Sequence, residues 1–309
     1  MYFKTDRYFY QKGMELFGEI QPSGEFYGSA FIAKSSSEMV FCENTINKVN
    51  NGFLMEKDND DFILGKHKNS VIEGPVLQRE DNVLDFKIIN QGDYDLRIIL
   101  DSNAFAIHYF SGNVLELLDY RENRLVYGYA GNDRKLHSKV ICENINLNLN
   151  FNKNYYKLND INLGTDIYSA SSTDSKICRK KYSSSFPNGY GFVKWEGNEL
   201  CISEFYYDDR HGLGCYRWHN GDEYYGQFKF NKVDGLGVFS RNGMYELGVF
   251  TNKIKNGVFF DITNNTIWIR RYTNGTKQIE EFRLDLNTFD LSYVTSNGSL
   301  KKYTFKDTI

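Results

Sequence analysis

The chain has 309 residues, 41% hydrophobic and 25% charged with three prolines, a composition that specifies one elongated or two compact folded domains and excludes a disordered or fibrous chain. Its 37 basic and 40 acidic side chains leave a net charge of −3, so no global positive field exists to hold nucleic acid. Aromatic residues make up 16% and asparagines number 32, which favours strands and turns over helices.

At the N-terminus, Met1-Tyr2-Phe3-Lys4-Thr5-Asp6-Arg7 places charges where a secretory signal needs an apolar run. No segment reaches the roughly 18 to 20 apolar residues of a membrane-spanning helix. The expectation is a soluble, cytoplasmic protein. Its five cysteines include no CxxC pair, so neither a disulfide framework nor a zinc site is signalled.

Further along, Leu16-Phe17-Gly18-Glu19-Ile20 precedes Gly28-Ser29-Ala30-Phe31, and glycines recur at Gly28, Gly52 and Gly74, steps of 24 and 22. Gly65 stands nine residues before Gly74. The stretch 14–94 therefore reads as a degenerate tandem repeat. From 95 to 187 the glycine beat fades while alternation persists, as in Ile145-Asn146-Leu147-Asn148-Leu149-Asn150-Phe151, a predicted strand. Gly74 and Gly189 lie 115 residues apart, five steps of 23, so one unbroken sheet is expected, with a separate β insertion as the alternative. Residues 166–188, serine-rich around Lys176, Arg179, Lys180 and Lys181, read as a long mobile loop with the one concentrated basic run.

The regular part begins at 189. Gly189-Tyr-Gly191-Phe, Gly212-Leu-Gly214-Cys, Gly235-Leu-Gly237-Val and Gly257-Val-Phe259-Phe step by 23, 23 and 22 residues. Gly226 and Gly248 each precede the next glycine start by nine. Alternation puts Gly212, Gly214, Tyr216 and Trp218 on one face, and Tyr224, Gly226, Phe228 and Phe230 on one face of the returning strand. Asn242-Gly243 suits a type I′ hairpin turn, His219-Asn220-Gly221-Asp222 occupies the matching place one unit earlier, and Asn231-Lys232-Val233-Asp234 is a predicted onward turn. Each unit is thus a hairpin, and the units form an antiparallel meander. The repeat aromatics, Tyr216, Trp218, Tyr224, Phe228, Phe239 and Phe250, are expected to lie over glycine backbone in the adjoining strand, where a missing Cβ leaves room. After 278, alternation around Phe282, Leu284 and Leu286 without Gly-x-Gly predicts strands that cap the array.

Tyr224-Tyr225-Gly226-Gln227-Phe228 followed by Gly235-Leu236-Gly237-Val238-Phe239 resembles the MORN repeat, whose pattern is Tyr-x-Gly-x-Phe and then Gly-x-Gly-x-aromatic at a period near 23. The resemblance covers about four units over 189–278. Ser203, Glu246, Phe259 and Arg270 depart from the pattern. The predicted fold class is all-β, an elongated single-layer antiparallel β-sheet of tandem hairpins with one aromatic and one polar face. Its predicted regions are 1–130 and 131–188 (degenerate), 189–278 (well formed) and 279–309 (capping).

No chemistry stands out against this background. The Gly-x-Gly pairs lack the third glycine or the Gly-Lys-Ser/Thr of a phosphate loop, the five histidines are scattered, and Asp208-Asp209-Arg210-His211 falls at a predicted turn. No catalytic, cofactor-binding or metal-ligating residue is assigned. The MORN resemblance implies scaffolding at cytoskeletal or membrane-apposed structures, with other proteins or a second copy as partners. The alternative is peripheral binding to acidic phospholipids through Arg179, Lys180, Lys181, Lys301 and Lys302. A third reading, an enzyme, needs a cleft of converging titratable groups within 95–187.

Overall fold

In the computed structural model, the described residues are 15–20, 26–33, 38–46, 49–59, 61–81, 83–91, 93–101, 103–111, 114–130, 136–144, 147, 166–171, 175–180, 189–195, 198–207 and 209–303. For 15–39, 44–46, 111, 139–142, 166–180, 189–192 and 194 within these, backbone alone is described.

The chain forms β1 (Glu15–Ile20), β2 (Phe26–Ala33), β3 (Glu38–Ile46), β4 (Val49–Asp58), β5 (Asp61–Lys68), β6 (Val71–Ile72) and β7 (Gly74–Glu80). Next come β8 (Val83–Asn90), β9 (Asp93–Asp101), β10 (Ala104–Ser111), β11 (Val114–Arg121), β12 (Arg124–Ala130) and β13 (Leu136–Cys142). A second series follows with β14 (Asp166–Ser171), β15 (Ser175–Lys180), β16 (Gly189–Lys194), β17 (Leu200–Tyr206), β18 (Asp209–Arg217), β19 (Glu223–Lys229) and β20 (Lys232–Arg241). It ends with β21 (Met244–Thr251), β22 (Ile254–Ile262), β23 (Thr266–Thr273), β24 (Thr276–Asp285), β25 (Leu291–Val294) and β26 (Leu300–Tyr303). Consecutive strands pair antiparallel except β13 with β14, and except that the two-residue β6 pairs only β5, leaving β5 to pair β7 as well. No α-helix occurs among the described residues. The all-β array of consecutive hairpins is as the alternation predicts.

The layering is not. Instead of one continuous sheet the described residues form two of 13 strands, β1–β13 and β14–β26, and β13 does not pair β14. They pack face to face through a shared core. Phe53 meets Tyr225 edge-on at 5.7 Å, Phe86 meets Tyr245 at 5.8 Å, and Phe105 meets Phe260 at 5.1 Å. The expected polar face of the second sheet is therefore aliphatic and buried, carrying Ile202, Leu213, Leu236, Val238, Leu247 and Val258. The reason lies between the glycines: the middle residue of Gly-x-Gly points away from the aromatic face, and in Gly212-Leu213-Gly214 and Gly235-Leu236-Gly237 it is leucine, which water would reject.

Two local expectations change. Residues 166–188 are not one loop, because β14 and β15 pair from Asp166↔Lys180 to Ser171↔Ser175. The turn placed at 231–234 is Phe230-Asn231, with φ of 47° and 63°, and Lys232 already belongs to β20. Two residues at positive φ match the twist of the flanking strands. Of the segment 145–151 only Leu147 is described; it lies buried outside any strand, its N–H donating to the Tyr120 hydroxyl at 3.1 Å. Asn242-Gly243, at φ 50° and 74°, is the type I′ turn expected.

The same unit recurs in both sheets. Turn amides reach back one unit to a carbonyl: Asn231 to Arg210 (3.0 Å), Lys253 to Val233 (2.8 Å), Gly275 to Lys255 (2.9 Å) and, in the first sheet, Ser70 to Asn50 (2.8 Å). This ladder ties each hairpin to its predecessor, which supplies the burial that an isolated hairpin lacks.

Candidate functional site

The outward face of the second sheet gathers the repeat aromatics. Tyr216, Tyr224, Phe228 and Phe250 are buried there with Val193, Cys201, Phe205 and Phe259, and Trp195, Trp218, Phe239 and Tyr272 pack against them. Edge-on contacts run Phe228–Tyr224–Phe250–Phe259–Tyr272 at 5.0–5.9 Å. All six predicted rings thus share one cluster.

The glycines beneath them serve three purposes, not one. Gly237 and Gly248 are the predicted sockets, since a Cβ at Gly237 would enter the Tyr224 ring and one at Gly248 would lie 2.7 Å from Phe259. At Gly214 and Gly226 the obstacle is neighbouring backbone, the Ile202 carbonyl and Gly237 Cα respectively. Gly52, Gly74, Gly212, Gly235 and Gly257, the first glycines of five units, hold φ between 68° and 112°. Three of these lie opposite a β-bulge whose Glu or Gln caps the next amide: Glu43 to Phe53 (2.9 Å), Glu204 to Leu213 (3.0 Å) and Gln227 to Leu236 (3.0 Å). A Cβ at Gly65 would lie 3.1 Å from the Val76 side chain and 3.3 Å from the Pro75 carbonyl oxygen, closer than ordinary contact. For Gly18, Gly28, Gly189 and Gly191 backbone alone is described.

At the turn end of this face sits an exposed aromatic rim that the sequence reading passed over. Tyr206, Tyr207 and Phe230 are 37%, 55% and 52% exposed. Tyr206 packs edge-on to Tyr207 at 4.6 Å, and His211 lies 5.7 Å from Tyr206 and 5.1 Å from Phe230. The buried Nδ1 of His211 makes no hydrogen bond. Burial and Lys229 push the His211 imidazole below its ordinary pKa, with Asp209 opposing, so it is neutral at pH 7. Tyr207 and Phe230 hold left-handed φ of 50° and 47°, in turns where Asn252 and Asn274 stand in later units. Asparagine tolerates that conformation; bulky side chains resist it. Arg210 anchors the rim: its N–H and Nε donate to Asn231 Oδ1, and its guanidinium lies 4.5 Å from the Tyr216 ring centroid.

Charges between the sheets fix their register. Arg217 forks onto Glu43 (2.7 and 2.8 Å) and donates to Glu223 (3.0 Å), which Lys66 approaches at 2.6 Å. Burial pushes the Glu43 carboxyl up, but Arg217, the Phe53 amide and Lys66 outweigh it and hold it below the ordinary range. Glu204 is fully buried, and burial raises its pKa to about 7 despite Lys57 at 4.0 Å and the Leu213 amide. A glutamate in the unfolded chain titrates near 4.5. Between those values the native state holds a proton the unfolded state has released, so stability falls as pH rises from 4.5 to 7. Glu204→Gln keeps the acceptor that Gln227 supplies in the next unit. It is expected to exceed the natural protein by on the order of 1–2 kcal/mol at pH 8 and to match it near pH 5 in urea unfolding. A difference independent of pH would refute this assignment.

The outward face of the first sheet carries a trough of about 410 Å³ over β9–β11, lined in part by Asp101, Ala104, Ala106, His108, Asp119 and Arg121. Burial and Arg97 push the His108 imidazole below its ordinary pKa, with Asp85 and Asp119 opposing. The trough overlaps the region where an enzyme would need its cleft, on an otherwise regular continuation of the sheet.

Of the predicted basic contacts, Arg179 and Lys180 lie on β15, where backbone alone is described, and Lys181 is outside the described residues. Lys301 and Lys302 are exposed on β26. Among the described residues no three His, Cys, Asp or Glu side chains are placed to hold a metal, and no helix is long and apolar enough to cross a membrane. Comparison of the chain with protein-family models finds no match, and comparison with curated proteins finds none.

Proposed function

We propose that the protein is a non-enzymatic scaffold that binds other proteins, further copies of itself among them, through the aromatic rim of its second sheet. The carrying observation is the pair Tyr207 and Phe230: large exposed rings held at positive φ where the same turns of the later units use asparagine, at Asn252 and Asn274. Backbone strain kept at an exposed apolar position reflects a use for the ring rather than for the fold. The MORN resemblance of the 189–278 units supports the same reading, with cytoplasmic work at cytoskeletal or membrane-apposed structures as the setting it implies. The net charge of −3 favours a protein partner over nucleic acid.

The test replaces both rings with the residue of the later turns. Tyr207→Asn/Phe230→Asn is expected to be as stable as the natural chain or up to about 1 kcal/mol more so, because the αL strain is relieved. It is expected to lose the proteins that the natural chain captures from its native cell. An unchanged captured set would defeat the reading. The exposed Lys301 and Lys302 favour a second reading, binding to acidic phospholipid. Co-sedimentation with phosphoinositide vesicles that is abolished by salt and by Lys301→Glu/Lys302→Glu would support it.

A further inference from the structure

The trough on the first sheet lies away from the rim and is independent of it. Its floor exists because β10 presents two alanines outward: Ala104 pairs with Asp101 of β9, and Ala106 pairs with Asp119 of β11. Small side chains on the central strand between longer ones leave a channel along it, walled by Ile99 on one side and Leu117 on the other. About 410 Å³ is near the lower end of the roughly 300–1,000 Å³ of small-molecule sites. That space suits a compact ring system and excludes a folded partner. Among the described lining residues there is no hydroxyl or thiol side chain, so binding rather than nucleophilic chemistry is what this lining supports.

The lining charges select the ligand. Among the described lining residues Asp101 and Asp119 are acidic, Arg121 is the single basic member, and His108 is neutral at pH 7, leaving −1. Arg121 is committed, its Nε donating to both Asp119 oxygens at 3.0 and 3.1 Å, yet its side chain is 71% exposed and free to swing outward. Asp119 is only 20% exposed and, as a carboxylate, keeps acceptor sites beyond the two that Arg121 uses. Arg97, opposite His108 on β9, is held bidentate by Asp85 at 2.6 and 3.0 Å, which commits that cation elsewhere. We propose that this trough binds a small organic cation, a protonated amine carried on a flat apolar body, with the ammonium at Asp119 and the ring over Ala104 and Ala106.

Calorimetric titration of the full chain with tryptamine tests it, with indole-3-acetate as the same ring bearing the opposite charge. Saturable 1:1 tryptamine binding is expected at a Kd of about 1 mM or below, with indole-3-acetate at least about tenfold weaker. Asp119→Asn is expected to weaken tryptamine about tenfold, Ala106→Leu to abolish its binding by filling the floor, and Arg121→Gln to strengthen it severalfold by releasing Asp119. If Asp119→Asn or Ala106→Leu does not fold, the amine-to-carboxylate ratio on the natural chain and the Arg121→Gln titration decide. Absence of saturation, equal affinity for the carboxylate, or weaker binding by Arg121→Gln would overturn the proposal.

Discussion

Gly226→Ala is expected to be strongly destabilising for a single added methyl, costing about 3 kcal/mol or more. Its Cβ would lie 2.5 Å from Gly237 Cα and 2.5 Å from the Leu236 carbonyl oxygen. Both are backbone atoms of β20, so relief requires parting β19 from β20, and Tyr224, whose hydroxyl donates to the Gln227 carbonyl at 3.0 Å, packs over the same spot. A side-chain obstacle can rotate away; a paired strand cannot without losing its ladder. The matched control is Gly243→Ala. Gly243 holds φ 74° with nothing within 4 Å of a Cβ, so it is expected to lose only the αL preference, about 1 kcal/mol. Denaturant midpoints of the two variants compared at one temperature provide the measurement. Equal losses would show that the close approach of β19 to β20 carries no energetic weight.

Arg217→Met is expected to destabilise by about 3–5 kcal/mol, the range for leaving buried partners uncompensated. Arg217 neutralises two carboxylates at once, and Glu43 and Glu223 are 14% and 7% exposed. Lys66 remains for Glu223, but Glu43 loses both forked hydrogen bonds. The Arg217 guanidinium also stacks 4.4 Å from the Phe53 ring centroid, and methionine keeps much of that apolar contact, so the loss reports charge more than packing. Glu43→Gln/Arg217→Met is expected to recover a substantial part, because no unpaired carboxylate then remains while the Phe53 amide keeps its acceptor. Urea unfolding of the single and double variants tests this. A double variant no better than Arg217→Met would show that the ion pair was not the source of the loss.

Much of the fold was legible in the chain. The 23-residue beat of Gly212, Gly235 and Gly257 marks the positive-φ position of each unit, and only glycine occupies such a place cheaply beside a bulge. Asn242-Gly243 announced its turn, and Tyr216, Trp218, Tyr224, Phe228, Phe239 and Phe250 were placed on one face by alternation alone. The rim was harder to see, because a tyrosine or phenylalanine beside a strand reads as strand. Tyr207 and Phe230 show as turn residues only when aligned with Asn252 and Asn274. The trough left no motif at all, since Ala104, Ala106 and Asp119 become neighbours only through pairing across β10 and β11.

Local sequence by itself determined the hairpins, their antiparallel order and the aromatic face, because period-two alternation, turn chemistry and missing Cβ atoms act within one or two strands. Only the tertiary structure decided that there are two sheets rather than one and that their aliphatic faces close on each other. That choice depends on residues as distant as Glu43 and Arg217, and on the gain from hiding Leu213 and Leu236 from water, which no single repeat contains.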